Sequence, residues 1–334
     1  MEHSRSMNAW RISNRPGMVF VLTAAIFITS AVLRKLAMHA STEHALQDPA
    51  HLGRPQETVM VAPAARGAHK ELDRHVSPHT RAANLLLATA ALGMIALAEV
   101  ITAFTDVRYG VAGHVVLLVL FLALGALASD QRLQAFFLAI TVAPLIRIIS
   151  LGMPLSHFPP TFWYVLTAVP LFLAAFLITR MLEIPSAALN LRFPRWRRLP
   201  VDLLVSVSGI GLGVVEWRIL RPAPLVHTSS IAWIIGASLI LLLCTGFLEE
   251  LLFRGLIQHV AATLLGPNMG LLVTSALFGV LHVGYHSVLD LTFVTAVALY
   301  FGLAVRYTRS LFGVSMAHGV INIMLFIVLP LSLR

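Results

Sequence analysis

The sequence predicts an all-α membrane protein, a polytopic bundle of about nine to ten transmembrane helices. Hydrophobic residues make up 58% of the chain and charged residues only 12%, whereas soluble domains have about 25% charged residues. Apolar runs of about the 20 residues that cross a bilayer follow one another along most of the chain. Because backbone polar groups find no water in lipid, each run must fold as a helix.

The chain divides into four segments. Residues 1–38 combine a polar start with a first apolar helix near 18–33, and residues 39–81 form a hydrophilic linker rich in proline and histidine. The histidines of this linker are irregularly spaced and have no cysteine partners, so we expect a solvated loop and not a metal site. The N-terminal membrane helices occupy 82–199, and the helices that carry the motifs described below occupy 200–334.

Nine apolar runs after the linker predict spanning helices at 82–104, 112–129, 132–150, 161–180, 200–217, 231–258, 270–285, 288–307 and 311–330. A basic loop precedes the fifth of them and contains Arg192, Arg195, Arg197 and Arg198. Such a cluster marks the cytoplasmic side of a membrane. Its alternative role is a docking site for anionic lipid or substrate.

The net charge of +9 does not indicate a nucleic-acid partner, because the basic residues stand in short loops beside apolar runs. Basic residues in such loops set the orientation of the helices in the membrane and contact anionic lipid headgroups. The single cysteine, Cys244, excludes an intramolecular disulfide and a cysteine-based metal cluster. The expected partners are the lipid bilayer and a membrane-associated protein or peptide substrate, with no nucleic acid.

Polar residues inside the last apolar runs are the candidates for function, because an ionisable residue at membrane depth is costly. They are Glu249, Glu250, Arg254, His282, His318 and Asn322.

The two adjacent glutamates are predicted to have different roles. Residues four apart share a helix face, so Glu250 and Arg254 can form a structural ion pair. Glu249 is rotated by about 100° from Glu250. It is therefore free to act as a base.

The remaining residues suit water-driven cleavage of an amide bond. We expect Glu249 to deprotonate a water that His282 helps to hold. His318 and Asn322 can offer donors to the developing oxyanion. Glycines at 246, 255, 279 and 319 flank these positions, and small residues let membrane helices approach closely.

Three spacings together resemble the signature of the CPBP family of intramembrane proteases, which process CAAX proteins and bacteriocins. They are Glu249-Glu250-x-x-x-Arg254, Phe278-x-x-x-His282 and His318-x-x-x-Asn322. The resemblance implies an eight-helix-type CPBP core in the C-terminal part and a water-accessible cavity. It also implies that Glu249 is the catalytic glutamate, with His282, His318 and Asn322 completing the site. We expect an integral, multi-pass protein of a prokaryotic cell membrane.

Several alternatives remain open at this stage. The family is often called a metalloprotease, and Glu249, His282 and His318 could in principle hold a zinc ion; activation of water without a metal is equally consistent with the sequence. A catalytically silent scaffold or immunity protein, or less plausibly a transporter, would also use buried charges. Glu99 and Glu216 belong to no motif, and helix-end positions or interhelical hydrogen bonds suffice to explain them.

Overall fold

The computed structural model describes residues 78–153, 157–227 and 230–333. Nine helices in these ranges are long and apolar enough to cross a membrane, and no strand occurs there. The all-helical membrane fold is therefore confirmed. The predicted first helix near 18–33 and nearly all of the 39–81 linker lie outside the described residues. The helices are α1 Pro78–Phe104, α2 Val107–Leu127, α3 Gln131–Gly152, α4 Pro160–Met181, α5 Leu199–Leu220, α6 Ile231–Leu265, α7 Pro267–Val280, α8 Val288–Thr308 and α9 Phe312–Ser332.

Polar side chains cap the N-termini of several of these helices. Asp106 caps α2 by accepting a hydrogen bond from the backbone N–H of Arg108 at 2.8 Å. The Arg108 side chain also binds this carboxylate and lowers the pKa of Asp106 to about 2, so the cap stays charged at neutral pH. Ser287 caps α8 through the backbone N–H of Asp290, at 3.1 Å.

One apolar core joins the N-terminal and C-terminal membrane helices. It runs from Ile95 in α1 through Phe137 in α3 and Leu252 in α6 to Phe301 in α8, all of them buried. The boundary expected near residue 200 is thus bridged by continuous packing. Large apolar residues on the outside of the bundle remain exposed, as lipid-facing residues do.

A buried polar cluster fastens the first three helices together. Glu99 accepts a hydrogen bond from Nε of Arg147 at 2.6 Å and lies 3.3 Å from Nε2 of His114. Arg147 also donates to the backbone carbonyl of Leu281, which follows α7. Glu99 is thus an interhelical hydrogen-bonding residue, and the cluster ties the N-terminal helices to the neighbour of His282.

Helices α6 and α9 approach each other closely at two glycines. A Cβ atom on Gly246 would lie 2.6 Å from the backbone nitrogen of Gly319. No side chain fits there, so the two backbones touch as the sequence predicted for small residues. This contact brings α9 within reach of the glutamates on α6.

Candidate active site

The first motif lies on a locally widened part of α6. Two π-helical segments, Leu242–Phe247 and Leu251–Ile257, flank the short α-helical segment Leu248–Glu250. Such π-helical insertions are frequent at functional sites. The Glu249 side chain is 34% exposed whereas that of Glu250 is 0% exposed. The two glutamates therefore occupy different environments.

Glu250 binds two cationic or protonatable partners at once. Its Oε1 lies 2.8 Å from Nη1 of Arg254 and 2.7 Å from Nδ1 of His318. The guanidinium of Arg254 also stacks over Phe278, with 4.5 Å between its central carbon and the ring centroid. A buried arginine held by a carboxylate and an aromatic face is a structural element of the bundle.

His318 connects the two glutamates. A carboxylate oxygen accepts, so Nδ1 carries the proton shared with Glu250, and Nε2 points to the other side of the ring. Nε2 lies 3.7 Å from Oε2 of Glu249, beyond a direct hydrogen bond but short enough for a bridging water. The histidine at ion-pair distance from Glu249 is thus His318, whereas the motifs predicted His282 beside Glu249.

His282 stands where α7 ends. We predicted a helix to residue 285, but α7 stops at Val280 and a short 3-10 turn, Val283–Tyr285, follows. The backbone N–H of His282 donates to Gly279 at 2.8 Å. The carbonyl of Phe278 is then left for Nδ1 of the His282 ring, also at 2.8 Å. In the neutral ring this leaves Nε2 as an acceptor.

Asn322 is oriented by Thr245, a residue outside the three motifs. Its Nδ2 donates to Oγ1 of Thr245 at 2.8 Å. The Thr245 hydroxyl donates in turn to the carbonyl of Leu241, one turn earlier in α6. The amide of Asn322 is therefore fixed in one orientation.

The four residues predicted to be catalytic line one cavity of about 100 Å³. Glu249 comes from α6, His282 from the end of α7, and His318 with Asn322 from α9. A buried water needs roughly 10–15 Å³ and two to four polar partners. The cavity has both the volume and the polar groups to hold water beside Glu249.

Glu216 lies near the C-terminal end of α5 and also lines the same cavity, which neither a helix-end position nor an interhelical hydrogen bond predicted. It is buried on α5 and interacts electrostatically with His318 and Glu249. Tyr164 of α4 and Tyr285 also line the cavity. In the sequence, Glu216 stands out only as a carboxylate inside an apolar run, which indicates a functional residue. No motif linked it to the other residues, because only packing of α5 along α9 brings it there.

The three residues considered as zinc ligands do not form a metal-binding group. No three His, Cys, Asp or Glu side chains among the described residues are arranged to hold a metal ion. We therefore derive no catalytic step through a metal.

Comparison with known protein families agrees with the motif-based resemblance. Residues 231–324 match the family model described as "Type II CAAX prenyl endopeptidase Rce1-like". This range begins with α6, extends into α9 and includes all seven named residues of the three motifs. No curated protein and no solved structure matches the chain.

Proposed function

We propose that this integral membrane protein is an intramembrane endopeptidase, because its motif-bearing helices, residues 231–324, match the Rce1-like family model of type II CAAX prenyl endopeptidases. It hydrolyses a peptide bond of a membrane-associated protein or peptide in a prokaryotic cell membrane. The observation that carries the proposal is the pair formed by Glu249 and His318, 3.7 Å apart at one cavity, with Glu250 on the far side of the imidazole.

Glu249 is the base in this proposal. It is the more exposed of the two glutamates, and its neighbour Glu250 is already bound by Arg254 and His318. A water between Glu249 and the histidines transfers a proton to the Glu249 carboxylate and attacks the carbonyl carbon of the substrate. Such positioned base catalysis contributes about 10²- to 10⁴-fold to the rate.

His282 holds the attacking water. Its Nδ1 donates to the Phe278 carbonyl, so the neutral ring presents the Nε2 lone pair as an acceptor. A water that donates to Nε2 of His282 and to Glu249 has both protons engaged. One of its lone pairs is then free to attack.

His318 and Asn322 stabilise the oxyanion that forms. Nδ1 of His318 donates to Glu250, so Nε2 donates toward the cavity in the doubly protonated imidazolium, which the two neighbouring glutamates favour. One N–H of Asn322 is bound to Thr245, and the other is available to the oxyanion. Preorganised donors of this kind lower the barrier because they need no rearrangement during the reaction.

The carbon–nitrogen bond breaks when the tetrahedral intermediate collapses. Glu249 passes the proton taken from water to the departing amine, and the hydroxyl oxygen of the water becomes part of the new carboxylate. One water is consumed and no other reactant is needed. Glu250 and Arg254 act as positioning residues that hold His318 in place.

Apolar side chains of α8 and α9 support a lipidated or apolar substrate. Phe293, Val297 and Phe301 line the cavity from α8, and Leu325 with Phe326 lines it from α9. Apolar lining with a few polar groups is typical of a substrate site. CAAX-type cleavage of a prenylated protein and processing of a bacteriocin-like peptide both fit this surface.

A comparison of cells tests the proposed function and identifies substrates. Membrane proteins are compared between cells that lack this protein and the same cells complemented with wild type or Glu249→Gln. We expect the complemented wild-type strain to contain shortened polypeptides, whereas the Glu249→Gln strain retains their full-length forms. Identical chain ends in all three strains would argue for the scaffold or immunity role instead.

A further inference from the structure

A recess lined by arginines lies beside the proposed active site, and Arg254 lines both. Two adjoining cavities of about 660 and 540 Å³ share Ala188, Asn190, His259 and Arg309. Arg192, Arg195 and Arg198 line the first cavity, and Arg306 lines the second. We call this pair of cavities the arginine recess.

Most of the positive charge of the arginine recess is not compensated by acidic residues. No Asp or Glu lines either cavity within the described residues. Arg254 also lines the second cavity and is paired with Glu250, but none of the other five arginines forms an ion pair with a carboxylate in the described part of the chain. The partners of Arg306 are neutral, since its Nη1 donates to Oδ1 of Asn268 at 3.1 Å. The recess therefore presents several cationic donors to one space.

The loop that carries these arginines is held in a defined shape. Leu311 donates its backbone N–H to the carbonyl of Asn190 at 3.1 Å, and the Ser310 hydroxyl donates to the carbonyl of Arg192 at 3.0 Å. Arg198 donates to the carbonyl of Tyr307 and stacks over its ring. The loop backbone and the Arg198 side chain are thus positioned before a ligand arrives, which reduces the entropic cost of binding.

Aromatic residues of the same loop indicate that the recess lies at the membrane surface. Phe193 is 91% exposed and Trp196 is 84% exposed, and they stand on either side of Arg195. Exposed aromatic residues at the end of a spanning helix sit at the level of the lipid headgroups. The second cavity also has an apolar wall, which includes Leu303 and Val305. An amphiphile with an anionic head matches both parts of this surface.

We propose that the arginine recess binds the phosphate-bearing headgroup of an anionic phospholipid. Guanidinium groups form strong, geometrically matched hydrogen bonds with phosphate oxygens. Basic pockets between membrane helices are suited to such headgroups. The acyl chains lie along the neighbouring apolar wall and the outer surface of α8.

Lipid retention by the full-length protein tests this site. The protein is placed in nanodiscs that contain phosphatidylglycerol or phosphatidylcholine, and bound lipid is counted by native mass spectrometry after release. We expect wild type to retain phosphatidylglycerol in preference to phosphatidylcholine. Arg195→Gln should weaken retention about fivefold and Arg195→Gln/Arg309→Gln about 25-fold, as expected for one or two basic side chains near an anionic surface.

Arg197 provides the matched control, because it is in the same loop and is exposed but does not line the recess. Arg197→Gln should retain phosphatidylglycerol within twofold of wild type. An equal loss in Arg197→Gln and Arg195→Gln would overturn the proposal in favour of general surface charge. Unchanged retention in the double variant would also overturn it.

A second arm distinguishes a lipid from free phosphate. Inorganic phosphate is titrated onto the protein in phosphatidylcholine nanodiscs, with binding followed by calorimetry. We expect no saturable binding at millimolar concentration. Saturable binding that Arg195→Gln abolishes would assign the recess to free phosphate and contradict the lipid proposal.

Discussion

Nδ1 of His318 and Oε1 of Glu250 lie 2.7 Å apart although the two residues are 68 positions apart in the chain. This hydrogen bond joins α9 to α6 and turns Nε2 of His318 toward Glu249. The same Glu250 oxygen binds Arg254. One buried carboxylate thus neutralises an arginine and orients the histidine proposed for catalysis.

Removal of the buried Glu250 carboxylate should lower the stability of the folded protein. Glu250→Gln leaves Arg254 charged and uncompensated inside the bundle, a change worth about 3–5 kcal/mol of stability. The loss is measured as a lower thermal or denaturant midpoint of the purified protein. In Glu250→Gln/Arg254→Met no charge remains unpaired, so this double variant should be less destabilised than the sum of its single variants. Additive losses would contradict the ion-pair account.

Thr245 should affect catalysis through Asn322. Thr245→Val removes the acceptor that fixes the Asn322 amide at 2.8 Å, so we expect kcat to fall about 10- to 100-fold with little change in KM. Steady-state cleavage of a peptide substrate measures both constants. Thr263→Val is the control, because this exposed hydroxyl binds only its own helix. Equal kcat values for the two variants would remove Thr245 from the mechanism.

Close packing at Gly246 should be required for the site to form. Leucine at this position would clash with the backbone of Gly319, and such overpacking costs about 1–3 kcal/mol or more. We expect Gly246→Leu to lower the thermal midpoint and abolish cleavage. Gly236→Leu on the same helix has open space around its Cβ and should behave as wild type. Comparable unfolding of both variants would show that the packing is not specific.

Arg147 should position His282 from the N-terminal half of the bundle. Arg147→Gln weakens the bonds to Glu99 and to the Leu281 carbonyl. We expect a lower thermal midpoint together with a fall in kcat of about tenfold, measured at a temperature where the variant is fully folded. Arg132→Gln, at the start of the same helix, should change neither. An unchanged kcat in folded Arg147→Gln would restrict Arg147 to a structural role.

Local sequence patterns were sufficient to predict the spanning helices, the family resemblance of the motif region and the contact between Glu250 and Arg254. Apolar runs of membrane length predicted the spanning helices, and the resemblance carried by the three motifs is confirmed by the family match. The contact between Glu250 and Arg254 follows from their four-residue spacing on one helix. Each of these features depends on residues close together in the sequence.

Contacts between distant helices could not be predicted in the same way. The bond from His318 to Glu250 depends on the approach of α9 to α6 at Gly319 and Gly246. Glu216 reaches the cavity only because α5 packs beside α9, and Arg147 reaches Leu281 across the bundle. No spacing within one helix encodes which helices become neighbours.

The central claim is that the Glu249 carboxylate activates the attacking water. The most direct test is the cleavage rate of purified Glu249→Gln in lipid nanodiscs, with prenylated and unprenylated peptides as substrates and Glu183→Gln as a control outside the cavity. We predict that kcat of Glu249→Gln falls about 10²- to 10⁴-fold while its thermal midpoint stays close to that of wild type. The Glu183→Gln control should remain active. Cleavage by Glu249→Gln at the wild-type rate would contradict the claim.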